Sequence, residues 1–122
     1  MGLLAFHEAW AWVVILGNGL AGVWALAARR VESLRTRAMW WFTVSVEAAV
    51  FVQVATGVAM VAGQHRTVTA FHPFYGFVAI VAVGFFYAYR AALRRQMYLL
   101  YGLGGLFVMG LGVRALITAK GG

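Results

Sequence analysis

Ala5-Phe6-His7-Glu8-Ala9-Trp10-Ala11-Trp12-Val13-Val14-Ile15 opens the first apolar run of this chain, and Ala70-Phe71-His72-Pro73-Phe74-Tyr75-Gly76-Phe77-Val78-Ala79-Ile80 opens the third. The offset that aligns the two stretches also sets Gly19 on Gly84, Ala27 on Ala92 and Arg29-Arg30 on Arg94-Arg95. Trp10 and Trp12 fall on Tyr75 and Phe77, so aromatic character is kept where identity is not. A fixed offset of this kind marks an internal repeat. It divides the chain into two tandem helical hairpins, repeat 1 over about 5–63 and repeat 2 over about 70–122, within one domain spanning 1–122.

The solvent follows from composition. Hydrophobic residues make up 64% of the 122 and charged ones 11%, against roughly 25% charged in ordinary soluble domains. So little polar surface cannot clothe a water-soluble globule, and a lipid bilayer is the expected surroundings. Four runs have the length to cross it: about 9–28, 38–62, 71–89 and 97–118. All must be helical, because hydrocarbon leaves every backbone polar group to be satisfied within its own segment. The fold class expected is therefore all-α, a four-transmembrane-helix bundle whose two hairpins are related by a parallel pseudo-twofold axis.

Charge sets the direction. Arg29, Arg30, Arg35 and Arg37 follow the first span, and Arg90, Arg94 and Arg95 follow the third. Only Arg66, Lys120 and, nearby, Arg114 mark the other side. By the positive-inside rule the two arginine-rich loops are cytoplasmic and both termini face outward. This is the pattern of a multi-pass protein of a bacterial cytoplasmic (inner) membrane, and the absence of a basic stretch before the first span argues against a cleaved signal peptide. The net charge of +7 is accounted for by these topology signals, so nucleic acid is not an expected partner. Trp40, Trp41, Tyr87, Tyr89 and Tyr98 would ring the inner boundary, with Phe6, Trp10, Trp12, Phe71, Phe74 and Tyr75 at the outer one, as aromatic belts do. Pro73 suits the first turn of the third helix, and Gly63 suits a stop for the second.

Few residues can carry chemistry. With no cysteine, thiolate nucleophiles, zinc thiolate sites and iron–sulfur clusters are excluded. No nucleophile–base pair is visible, which points away from an enzyme. His7 and His72 stand at the same end of two helices, the arrangement that would let two imidazoles hold haem b. Ala11 and Gly76, four residues on, are small enough for a ring to approach, and Arg66 and Arg114 are candidate propionate partners. His65 lies in the polar loop on the same side. A metal site built from His7, Glu8, His65 and His72 has no compact ligand spacing to support it, so no metal is expected. Glu47, Asn18 and Gln53 are the polar residues inside the spans. An acid at that depth faces the bundle or a cavity; a hydrogen bond from Asn18 to Glu47 is the structural expectation, and a proton or cation site is the functional one. A Glu8–Arg114 salt bridge would tie the first span to the fourth. Gly17, Ala21 and Ala25 form a small-residue stripe, as do Gly105 and Gly112, and such stripes let helices approach closely.

Three functions follow. The first is a non-catalytic accessory or structural subunit of a larger membrane complex, such as a respiratory or energy-converting one, with other membrane subunits or further copies of itself as partners. The second is a b-type haem electron-transfer protein with His7 and His72 as ligands. The third is a small proton-coupled transporter using Glu47, although the small multidrug resistance pattern keeps its essential acid in the first span.

Overall fold

The computed structural model describes residues 2–63 and 71–119, and every regular element in them is helical: α1 (Leu3–Arg30), α2 (Arg37–Gly63), α3 (Phe71–Tyr89) and α4 (Met97–Ala119). Single 3₁₀ turns, Glu32–Leu34 and Arg94–Gln96, lie in the α1–α2 and α3–α4 connections. All four helices are long and apolar enough to cross a membrane, and their flanks expose large apolar side chains such as Leu16, Trp41 and Phe77, so the chain reads as a membrane protein. The expected spans are recovered within two residues, except that α1 starts six residues before the expected 9. Leu3-Leu4-Ala5-Phe6 continues the helix and carries His7 with it.

Contacts between the helices run antiparallel around a ring. Along α1 and α4, Ile15 meets Gly112, Gly19 meets Met109, Gly22 meets Gly105 and Leu26 meets Gly102. Gly17 of α1 sits against Val46 of α2, and Phe86 of α3 against Gly104 of α4. The ring is uneven. α1 packs most extensively on α4, next on α2, and α3 on α4, whereas α2 and α3 meet least. Glycine explains the tight side. A Cβ on Gly105 would lie 2.7 Å from the Asn18 carbonyl oxygen and 2.8 Å from the Gly22 Cα, so only hydrogen at both positions lets the two backbones touch. The Gly105/Gly112 stripe thus docks its own α1. On the first-span stripe, Ala21 and Ala25 are buried, but Gly17 turns to α2.

Several polar groups hold the frame. The Arg35 guanidinium donates to Ala28 O (2.7 Å) and Arg29 O (2.9 Å) and lies over the Tyr98 ring. It satisfies carbonyls that the end of α1 leaves unpaired, a structural duty added to that of a loop charge. Thr36 caps α2 by accepting the Met39 N–H at 3.2 Å, a standard N-terminal device. The Trp10 indole donates to Ala49 O (2.9 Å) and the Trp24 indole to Leu34 O (3.1 Å). Of the expected belts, Trp41, Tyr87, Tyr89, Phe6, Trp12, Phe71 and Phe74 are exposed. Trp10, Trp40, Tyr75 and Tyr98 turn instead toward the core.

Candidate functional site

The histidine ends of all four helices converge. His7 sits in the second turn of α1, Gln53 and Thr56 on α2, His72 in the first turn of α3 and Ala115 on α4. The two imidazoles stand edge to face with ring centres 6.1 Å apart. Gly57 makes room for them, because a Cβ there would come within 3.2 Å of His7 Cε1.

The hydrogen bonds fix both tautomers. His72 Nδ1 lies 2.8 Å from Ala115 O; a carbonyl only accepts, so Nδ1 carries a proton and donates it. His7 Nδ1 lies 2.8 Å from Thr56 Oγ1, and the Thr56 hydroxyl donates its one proton to Gln53 O at 2.9 Å. Thr56 therefore accepts from His7 Nδ1, which leaves His7 Nε2 to face the Gln53 amide N–H. Gln53 donates its amide N–H to His7 O (2.9 Å) and approaches His7 Nε2 at 3.5 Å. Gln53 Oε1 is buried and accepts no hydrogen bond, a costly state for an amide oxygen. The result is a pair of imidazoles, each held by its Nδ1, with His7 Nε2 also facing the Gln53 amide nitrogen.

The other expected site residues fall differently. Arg114 is exposed, with its guanidinium 5.7 Å from the centre of the Tyr75 ring. Glu8, also exposed, makes no ion pair with it, so the expected α1–α4 salt bridge is not formed; each charged end sits in the solvated fringe, where an isolated pair gains little. Arg66 and His65 lie outside the described residues. Among the described residues no group of three metal-ligating His or acidic side chains occurs.

Asn18 and Glu47 do not bond to each other. Asn18 is 2% exposed and spends its two amide protons on Val14 O (2.9 Å) and Val46 O (3.3 Å). The physical reason is helical phase. Val46 faces α1, whereas Glu47, one residue on, is turned about 100° away. Trp40, Glu47 and Val54 share a face of α2, since positions seven apart drift only about 20°. Trp40 packs on Tyr98 and Tyr101 of α4, and Val54 meets Gly76 of α3. Glu47 therefore points to the loosely joined α2–α3 side, half-buried and within electrostatic reach of Tyr101. Tyr101 aims its hydroxyl elsewhere, at Phe86 O (3.4 Å). The Glu47 carboxyl has no hydrogen-bond or ion-pair partner among the described residues.

Sequence reasoning singled out His7 and His72 as a pair and Gln53 only as a polar residue within a span; it did not single out Thr56 or the Ala115 carbonyl. The Gln53–Thr56 spacing of three residues on one helix face was a usable signal; a backbone carbonyl gives none. Compared with known proteins, the chain matches no family model, no curated protein and no solved structure.

Proposed function

We propose that this chain works as a small integral membrane subunit within a larger membrane assembly. The observation that supports this reading is Glu47. A carboxyl within a membrane span is expensive and normally pairs with another group. It finds no hydrogen-bond or ion-pair partner among the described residues, and it shares its helix face with Val54, which meets Gly76 of α3 where α2 and α3 join loosely. A transmembrane helix of a neighbouring subunit, bringing a hydrogen-bond donor or a basic side chain, would satisfy it. The same proposal includes the duplicated-hairpin relation drawn from the Phe-His and Arg-Arg offset. It also includes an orientation with the arginine-rich loops cytoplasmic and both termini outside, in a bacterial inner membrane.

The test is native purification in mild detergent from membranes of cells carrying a tagged chromosomal copy. The expected result is a fixed ratio of other integral membrane polypeptides, lost on Glu47→Leu while the chain itself stays folded and inserted. A chain that purifies alone, or only with copies of itself, overturns the proposal. A proton-coupled transporter would use the same carboxyl through its charge: Glu47→Gln would then abolish transport, whereas a docking role survives that change in part.

Haem b is the poorer fit to the histidine pair. The two nitrogens it needs are present, but the rings lie in edge contact. Below them the bundle is filled by Val14, Val50, Val108 and Leu111, all buried, which leaves no slot for a macrocycle among the described residues. Arg114, one expected propionate partner, is turned to Tyr75.

A further inference from the structure

We propose that His7 and His72, with Gln53 as third donor, form a binding site for a single late first-row transition-metal cation. Cu²⁺ should bind most tightly and Zn²⁺ less so. Three independent features carry it. The first is separation. Two imidazoles that share one ion at roughly 2.0–2.1 Å per metal–nitrogen bond bring their ring centres to about 5–6.5 Å, and here they are 6.1 Å apart.

The second is the outer layer. Ligating histidines characteristically donate their other ring N–H to a carbonyl, a carboxylate or another oxygen acceptor, which fixes the tautomer and makes the free nitrogen a better base. Both histidines do so, His72 to Ala115 O and His7 to Thr56 Oγ1. The Thr56 hydroxyl is itself oriented by Gln53 O.

The third is the orphaned oxygen. Gln53 Oε1 is buried without a donor, while its own Nε2 is anchored on His7 O and lies 3.5 Å from His7 Nε2. The amide that carries this oxygen therefore lies beside the His7 ring nitrogen. Two imidazoles and a carbonyl oxygen suit copper and zinc, and the Irving–Williams order places Cu²⁺ first. A compact ion makes no demand for the planar slot that the packed interior denies to haem.

The experiment uses tag-free protein in mild detergent, stripped with a chelator and titrated with Cu²⁺ against a competing chromophoric chelator. One ion per chain is expected, with an electron paramagnetic resonance spectrum split by two nitrogen donors. His72→Gln should abolish this one-to-one binding. Thr56→Val, nearly isosteric, should weaken it about ten- to hundredfold by freeing the His7 ring. His65→Ala, altering the loop histidine, should leave it unchanged. Absence of stoichiometric binding overturns the proposal, as does a spectrum with a single nitrogen, wild-type affinity in Thr56→Val, or loss of binding in His65→Ala. Should His72→Gln fail to fold, the wild-type spectrum and Thr56→Val still decide the matter.

Discussion

Between α1 and α4, Gly22 and Gly105 bring two backbones together so closely that a methyl group on either would strike main-chain atoms. Between α2 and α3, Gly76 has ordinary van der Waals room beside Val54, its nearest neighbour at 3.6 Å. Glycine is present along both seams, yet it performs work in only one of them. The tight seam is closed by small residues in register on both partners, which is how helices associate where lipid tails are as apolar as the side chains. At the loose seam Gly76 of α3 meets the Val54 side chain rather than backbone. Val54 and Glu47 share that face of α2, so the α2 backbone stays away and the carboxyl stays unpaired.

The contrast can be broken most directly at Gly105. Gly105→Val should cost about 3 kcal/mol or more, because overpacking against main chain cannot be relieved by rotating a side chain. Unfolding by sodium dodecyl sulfate titration in mixed micelles would measure it, and wild-type stability would mean that α1 and α4 are not in backbone contact. Asn18→Leu ranks next at about 1–2 kcal/mol, the loss of two buried hydrogen bonds to Val14 O and Val46 O. The same titration checks it. A double variant with Glu47→Gln should be additive within about 0.5 kcal/mol, whereas strong coupling would restore the Asn18–Glu47 bond expected from sequence.

On the exposed face of α3 the sign changes. Gly84→Ala should stabilise by about 0.5–1 kcal/mol, since alanine is the better helix former and meets open space. Destabilisation there would show that α3 is covered by something beyond the chain's own helices. Smallest of all, Glu47→Gln should shift the stability of the isolated chain by less than about 0.5 kcal/mol, because the carboxyl holds no partner within it. Its effect belongs to the assembly and would be read as the yield of co-purifying subunits.

Much of the architecture was legible in advance. Composition demanded a membrane, and run lengths located four helices to within a few residues, because burial in hydrocarbon leaves no alternative backbone. The missed start of α1 came from counting uncharged residues rather than helix formers: Glu8 interrupts the apolar run without interrupting the helix. The histidine pair was legible as an offset between two Phe-His dipeptides. Its supporting atoms were not, since Ala115 contributes a carbonyl that any residue would offer. Arg35 was read as a topology signal alone, although it also closes the end of α1.

The sequence by itself determined that the chain forms four helices long and apolar enough to span a membrane and that two imidazoles lie near the starts of two of them. Hydropathy and chain length are local quantities and can be summed without knowing any contact. Only the tertiary structure decided which seam closes, which way Glu47 points and which imidazole nitrogens are left free. Those outcomes depend on the phase of one helix against another, and a single residue's rotation of about 100° separates Val46, locked against α1, from Glu47, left facing the loosely joined side of the bundle.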